Sequence, residues 1–250
     1  MNVHLHKVLL AICFAFFINT GLYSQIPATC TSPLVDFSGF DGSGFTATPT
    51  AGQLSSTDWN FTGFSDAYTS GGSNTSGDFA RGTTTGGETT GGIYALDVGG
   101  NQALWIQPGG SDFTPGTAEL TVCNNSGSTM VDLDLSYDLL VLNNADRANS
   151  FNFSFSTDGG ATFTNVPALD FTSPETADAS PTIQTMMQST TLAGVNLADG
   201  DCIILQWSGD DVSGGGSRDE FGLDNITICP TAPCAISLSL IHISEPTRPY

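Results

Sequence analysis

Many short strand-like segments, abundant turn residues and the lack of a helical repeat predict an all-β protein, folded as an antiparallel β-sandwich. The 250 residues include 29 Gly and 16 Phe, and only 12% of them are charged. Aromatic residues favour strands, while Gly, Ser, Thr and Asn favour turns. Outside the N-terminus no window sustains the i, i+3, i+4 apolar repeat of an amphipathic helix. The length suits one sandwich domain.

The N-terminus has the pattern of a signal peptide and predicts an exported protein. Lys7 ends a short polar region, an apolar run covers residues 8–18, and a small-residue cleavage site precedes Gln25. The apolar run is too short for a membrane span, so we expect no membrane insertion after cleavage. The expected organisation is a signal peptide at 1–24, a β-sandwich domain at 25–229, and the start of a linker or next module at 230–238.

The C-terminal residues 239–250, SLIHISEPTRPY, break the composition of the rest of the chain. This string resembles a translated sequencing adapter, and an ordinary disordered terminus is the alternative interpretation. The first interpretation makes the chain a fragment of a longer protein.

The strands are predicted from turn signals and alternation, in the following order. Residues 35–45 and 59–64 form the first two strands, and residues 70–92 form a long polar surface loop. Strands follow at 93–98, 103–106 and 118–123. Residues 131–142, VDLDLSYDLLVL, place an apolar row on one face and an acidic row on the other, as in a half-buried strand. The inward row is Val131, Leu133, Leu135, Tyr137 and Leu139.

Residues 151–163, FNFSFSTDGGATF, predict a hairpin. Its second half resembles the Asp-box of sialidase-type β-propellers, S-x-D-x-G-x-T-F/W. The stretch occurs once, and a propeller needs self-similar blades at a fixed period. We therefore expect a turn in which Asp158 accepts backbone N–H bonds while Gly159 and Gly160 supply the backbone freedom.

The remaining strands complete a sandwich of about ten short strands, which suggests a jelly roll. Residues 182–192 are a strand candidate, 202–207 (CIILQW) a central strand, 209–217 a loop and 221–228 the last strand. The apolar phase slips within that last strand, which predicts a bulge at Asp224 and Asn225.

Two disulfides are expected inside the domain. Cys30 precedes the first strand and Cys229 ends the last, and these strands commonly run side by side in a jelly roll. We therefore predict the pair Cys30–Cys229, which leaves Cys123–Cys202 as the second pair. Cys234 remains without a partner inside the domain.

Several kinds of chemistry are excluded by composition. Residues 25–238 contain no His and no Lys, which removes triad catalysis, His-ligated zinc and Schiff-base chemistry. The four Glu of this region are scattered and match no glycosidase signature, so no catalytic residue is expected. The formal net charge of -20 disfavours binding of nucleic acid.

Two binding sites are possible from residue types. Calcium prefers hard oxygen ligands, and adjacent first and last strands would bring such oxygens together. The candidate ligands are Asp36, Asp41, Asp219, Glu220, Asp224 and Asn225. Turn formation is the alternative role of these side chains. A sugar-stacking platform is the second site, with Trp59, Tyr68 and Tyr94 as candidates and Trp59 expected to be exposed.

Three short motifs carry a resemblance over about residues 30–228. They are Tyr23-Ser24-Gln25, the STDGG hairpin, and the final strand RDEFGLDNITI. They resemble jelly-roll modules of large secreted proteins of Bacteroidota, and the final strand is similar to those of MAM, laminin-G-like and carbohydrate-binding modules. The resemblance implies a secreted or cell-surface accessory module that binds a glycan or surface polymer, or spaces domains. The alternative is a module of a secreted nuclease, peptidase or glycosidase whose catalytic domain lies outside this chain.

Overall fold

The computed structural model describes residues 23–231, and nearly all of its regular structure is β-strand. In chain order the strands are β1 Ser24–Gln25, β2 Phe40–Thr46, β3 Gly52–Ser55, β4 Trp59–Thr62, β5 Thr83–Thr84, β6 Gly92–Val98, β7 Asn101–Gln107, β8 Gly116–Cys123, β9 Leu133–Leu142, β10 Arg147–Ser156, β11 Thr164–Asn165, β12 Phe171–Thr172, β13 Gln184–Leu192, β14 Cys202–Gly214 and β15 Glu220–Pro230. Two short 3-10 helical turns lie at Gly77–Phe79 and Pro167–Leu169.

Two large sheets form the sandwich, which confirms the predicted fold class. The first sheet has the order β1-β8-β14-β10-β11, with β4 also on β8 and β12 also on β10. The second sheet has the order β13-β9-β15-β7-β6-β5. Pairing is antiparallel except at β1–β8 and β5–β6. A small parallel pair, β2–β3, lies beside them.

One apolar core lies between the two sheets, because alternate side chains of each strand point inward. Trp207 of β14 is fully buried at its centre. Its ring centroid lies 5.4 Å from that of Tyr137, 5.5 Å from that of Phe153 and 6.3 Å from that of Trp59. Strand β9 follows the predicted alternation from Leu133 onward.

Both predicted disulfides are present. Cys30 pairs with Cys229, and Cys123 pairs with Cys202, with Cα–Cα distances of 5.5 Å and 4.0 Å. The first pairing agrees with the prediction that the first and last strands of the domain run side by side. Val35 forms an antiparallel bridge with Ile226, so the segment after Cys30 runs beside the last strand.

The predicted bulge and hairpin are also present. The register of β15 against β9 shifts after Asp224, where Asn225 has φ of 51°. In the turn between β10 and β11, Asp158 accepts hydrogen bonds from the backbone N (2.9 Å) and the hydroxyl (2.6 Å) of Thr162. These bonds lower the pKa of Asp158 to about 2.

Four local expectations are wrong. The strand predicted at residues 35–45 begins at Phe40, as β2. Val131 does not join the inward row, since its side chain is 54% exposed. The predicted loop at 209–217 is strand as far as Gly214, because β10 pairs with it along its length. The polar stretch 70–92 is not a simple surface loop, since Phe79 within it is buried in the core.

Some expectations fall outside the described residues. They are most of the signal peptide, the partner of Cys234 and the tail at 239–250. Among residues 23–231, no helix has the length and apolar character needed to cross a bilayer.

Candidate functional site

The three aromatic residues proposed for sugar stacking do not form an exposed platform. Trp59 is only 2% exposed and packs in the core against Phe61 with an interplanar angle of 8°. The expectation that Trp59 is exposed is therefore wrong. The next residue, Asn60, is polar because its side chain points to the outer face of the sheet, where it bonds Glu119.

The other two aromatic residues are separated from each other. Tyr68 is partly buried against the core, and its hydroxyl donates to the Trp59 carbonyl at 2.9 Å. Burial, with a smaller effect of the Asp58 charge, raises the pKa of Tyr68. Tyr94 packs in a different apolar cluster and donates to the Thr90 carbonyl at 2.9 Å.

The six predicted calcium ligands fall into separate groups. Asp36 and Asn225 both lie near Asp224. The Asp224 carboxylate accepts a hydrogen bond from the backbone N of Asn225 at 2.8 Å. Burial is the main cause of the raised pKa of Asp224, and the charge of Asp36 raises that pKa further. Asp41 instead accepts from the backbone N of Ser43 at 2.9 Å in a local turn.

Asp219 and Glu220 lie at the start of β15, and their carboxylates bind different partners. Asp219 accepts from the backbone N of Ala145 at 3.0 Å, while Glu220 accepts from Trp105 Nε1 at 2.6 Å. Within residues 23–231, no group of three or more His, Cys, Asp or Glu side chains converges at metal-binding distance. A site made of all six predicted ligands is therefore not assembled.

The outer face of the first sheet carries two rows of polar side chains that run across β4, β8, β14 and β10. We call the first the amide row; its members face one another in register and are Asn60, Glu119, Gln206 and Ser154. We call the second the hydroxyl row. It lies two residues from the amide row on each strand, and its members are Thr62, Thr117, Ser208 and Asn152.

Hydrogen bonds fix the amide row from one side of the sheet to the other. Glu119 accepts from Asn60 Nδ2 at 2.9 Å and from Gln206 Nε2 at 2.7 Å. Ser154 Oγ in turn donates to Gln206 Oε1 at 3.0 Å. Four side chains from four strands are thus held in one geometry before any ligand arrives, which lowers the entropic cost of binding.

A shallow depression of about 350 Å³ lies over the hydroxyl row. Thr62, Thr117, Asn152 and Ser208 line it, with Pro115 and Asp210 at its end. The facing pair Gly116 and Gly209 forms part of the lining through backbone atoms. A Cβ on Gly209 would lie 2.5 Å from a ring carbon of Phe113, so the ring packs directly beneath this part of the sheet.

The face offers both donors and acceptors of hydrogen bonds. Glu119 accepts hydrogen bonds from two amides, and Asp210 lies at the edge of the depression. Such a surface has the donors and acceptors needed to form hydrogen bonds with a polar ligand.

The sequence alone does not reveal this surface. A signal was present, because polar residues alternate with apolar ones in GTAELTVC and in FNFSFS. The alternation marks an outer face, but it does not reveal that β4, β8, β14 and β10 are neighbours. Only the strand order places Asn60 beside Glu119 and Glu119 beside Gln206.

Comparisons with known proteins give no family. No family model matches the chain, and no curated protein matches it. Among solved structures, a carbohydrate-binding module specific for non-crystalline cellulose aligns with 56% of this chain and 82% of its own, at 13% identity and a TM-score of 0.37. A module described for specific mannan recognition aligns with 56% of this chain and 80% of its own, at 16% identity and a TM-score of 0.36.

A putative sugar-binding protein from Bacteroides thetaiotaomicron aligns with 58% of this chain and 85% of its own, at 7% identity and a TM-score of 0.30. These TM-scores are too low to assign a family or a ligand.

Proposed function

We propose that this chain is a non-catalytic binding module that holds an uncharged polysaccharide on the outer face of its first sheet. The observation that carries the proposal is the preorganised amide row beside the depression over the hydroxyl row. Sugar hydroxyl groups both donate and accept hydrogen bonds, and the face presents both kinds of partner in a fixed array. A depression of about 350 Å³ falls within the size range of small-molecule sites.

The charge of the chain favours an uncharged glycan over an anionic one. The formal net charge is -20, and the three Arg within residues 23–231 all pair with Asp78 or Asp211. An acidic polysaccharide or a nucleic acid would be repelled at long range, especially at low salt. Neutral polymers carry no such penalty.

Recognition on this face relies on hydrogen bonds rather than on stacking. No aromatic residue lines the depression. We therefore expect weak binding that strengthens when several sugar units contact both rows at once.

We also propose an extracellular or cell-surface location. Two disulfides cross-link the domain, and disulfides persist in oxidising compartments. Fractionation of the source cells tests this: the protein is expected outside the cytoplasm, and a reduced cytoplasmic form would contradict the proposal.

Affinity electrophoresis in gels containing soluble polysaccharides tests the binding role. The panel contains neutral β-glucan, mannan, galactan and xylan, with alginate as the anionic comparison. We expect retardation by at least one neutral polymer and none by alginate. Gln206→Ala and Glu119→Ala should each reduce the retardation at least several-fold, since each removes two hydrogen bonds of the amide row.

Thr185→Ala is the matched control, because Thr185 is exposed on β13 of the other sheet. Thermal unfolding of each variant checks that the fold is intact. Trp59→Ala is not a useful test, since loss of this buried ring would damage the core. Retardation that survives both amide-row substitutions would place the glycan elsewhere, and no retardation by any polymer would remove the proposed function.

A further inference from the structure

A second cavity, of about 340 Å³, lies where the chain leaves β7 and where it enters β15. We call it the end cavity. Three chain segments line it: residues 88–89 of the glycine-rich stretch, residues 107–110 at the end of β7, and residues 216–218 before β15. The end cavity shares no lining residue with the depression over the hydroxyl row, so it is a separate site.

A buried side chain with an unpartnered oxygen belongs to the lining of this cavity. Gln107 is 3% exposed, and its Nε2 donates to the Pro108 carbonyl at 2.9 Å and to the Arg218 carbonyl at 3.4 Å. These bonds fix the orientation of the amide, because the reverse orientation would place its oxygen against two carbonyl oxygens. Gln107 Oε1 has no hydrogen-bond partner among residues 23–231. A buried acceptor without a donor is costly, so a ligand that donates a hydrogen bond to this oxygen would be favoured.

Glu88 supplies a second acceptor in a segment that is already held in place. One carboxylate oxygen of Glu88 accepts from the Thr84 hydroxyl at 2.6 Å, which leaves the second oxygen for a ligand. The backbone N of Gly87 donates to Glu220 Oε1 at 2.8 Å and ties the same segment to the sheet. This part of the lining is thus ordered before a ligand arrives, which lowers the entropic cost of binding.

An ion pair holds the third segment and sets the charge of the cavity. Arg218 donates to Asp211 from Nε at 2.8 Å and from one terminal nitrogen at 2.6 Å, so its charge is already neutralised. The other charged lining residue is the acidic Glu88. An anionic ligand would meet no free positive charge here. A neutral ligand with hydroxyl groups can donate to Glu88 and Gln107 and accept from the Ser217 hydroxyl.

We propose that the end cavity binds the terminal sugar unit of a neutral glycan, whose hydroxyl groups donate to Gln107 Oε1 and to Glu88. This assignment rests on the proposed function for the class of ligand, but it places a different part of the glycan at a different site. Gln107 is almost fully buried, so a ligand reaches its oxygen only by inserting a group between the three segments. A chain end can do so because it has one neighbouring sugar to accommodate, whereas an internal sugar unit has two.

Saturation-transfer NMR with disaccharides tests the end cavity. The probes are cellobiose, mannobiose, galactobiose and xylobiose, which present chain ends but are too short to span the four strands of the sheet face, about 14 Å across. We expect saturation transfer to at least one of them. Glu88→Ala, at a partly exposed position, should weaken binding about fivefold through the loss of one hydrogen bond.

Gly110→Phe should block the end cavity. Gly110 lines the cavity and is exposed, and a Cβ at this position would have no non-neighbouring atom within 4 Å, so the larger side chain has room beside the cavity. Gly39→Phe is the matched control, because Gly39 is equally exposed and unobstructed but lies outside the cavity. Saturation transfer should be lost in the first variant and kept in the second. Thermal unfolding checks that each variant is folded.

Gln206→Ala separates the end cavity from the sheet face, since it should reduce retardation by polymers and leave saturation transfer to the disaccharides unchanged. No transfer to any disaccharide at millimolar concentration would overturn the end-cavity proposal and leave water as the occupant, while polymer retardation would still support the sheet face. Transfer that survives both Glu88→Ala and Gly110→Phe would also overturn it. Transfer that depends on Gly110 without any polymer retardation would support the end cavity and remove the sheet-face site.

Discussion

The carboxylate of Glu220 joins the glycine-rich segment around Gly87 to the second sheet by a hydrogen bond. Removal of this carboxylate should destabilise the domain. Glu220 is 0% exposed. One oxygen accepts from the backbone N of Gly87 at 2.8 Å and from Asn144 Nδ2 at 3.0 Å, and the other accepts from Trp105 Nε1 at 2.6 Å. Beneath this contact lies a second apolar cluster, on the face of the sheet opposite to the main core.

The magnitude follows from the three donors, of which Trp105 Nε1 is buried while Gly87 and Asn144 are partly exposed. Glu220→Ala leaves the buried donor without an acceptor, at about 1–3 kcal/mol, and removes two further hydrogen bonds of about 0.5–1.5 kcal/mol each, so we expect a loss of at least about 2 kcal/mol of unfolding free energy. Glu220→Gln keeps the shape and one acceptor oxygen, but its NH₂ group must face a donor. We expect a loss of about 1–3 kcal/mol for this variant.

The pH dependence has a definite sign. Burial raises the pKa of Glu220 above its ordinary value of 4.5, although hydrogen bonds from Trp105, Gly87, Glu88 and Asn144 oppose the rise. A raised pKa means that the folded state binds the proton more tightly than the unfolded state. The associated stability is fully present below pH 4.5 and is lost as the pH rises through the folded-state pKa. The Gln variant lacks this dependence, so its deficit relative to wild type should be larger at low pH.

Urea unfolding followed by tryptophan fluorescence and far-UV circular dichroism measures these differences. Glu119→Gln is the control, because Glu119 also accepts two amide hydrogen bonds but is partly exposed. Its loss should stay below about 1 kcal/mol. If Glu220→Ala costs no more than the Glu119 control, Glu220 does not fasten the segment and the reasoning is wrong.

Two further predictions concern the disulfides and the β10–β11 turn. Replacing Cys30 and Cys229 by Ser should lower the unfolding free energy by about 0.8 kcal/mol more than replacing Cys123 and Cys202, because the closed loops span 199 and 79 residues. Chemical denaturation of both double variants measures this difference. Equal losses would contradict the chain-entropy account. Asp158 should titrate at a pKa of about 2 by NMR, and Thr162→Val should move it back toward 3.8, since the hydroxyl of Thr162 is the largest cause of the shift. A midpoint unchanged by Thr162→Val would show that other groups set it.

The sequence was a good guide wherever a pattern is local. The alternation in residues 133–139 fixed which side of β9 is buried, and the phase slip at Asp224 located the bulge. STDGGATF specified its own turn, since its hydrogen bonds join residues at most four apart. The disulfide Cys30–Cys229 needed one further assumption, that the first and last strands are neighbours.

The sequence did not predict the features that depend on contacts between residues distant in the chain. Trp59 lies between Asp58 and Asn60 and was expected to be exposed, yet its strand turns that ring inward onto Trp207. The segment GDDVSG has the composition of a loop, but Asp211 is held in β14 by Arg147 and Arg218 and by pairing with β10. In both cases the deciding contacts come from residues distant in the chain.

The sequence by itself therefore determined the all-β class, the buried face of β9 and the local turns, because each depends on composition or on residues within a few positions. Only the tertiary structure decided the candidate sites. Asn60 lies beside Glu119, and Glu119 beside Gln206, because of the order in which the strands pack. That order is set by the burial of the whole core, which no local pattern specifies.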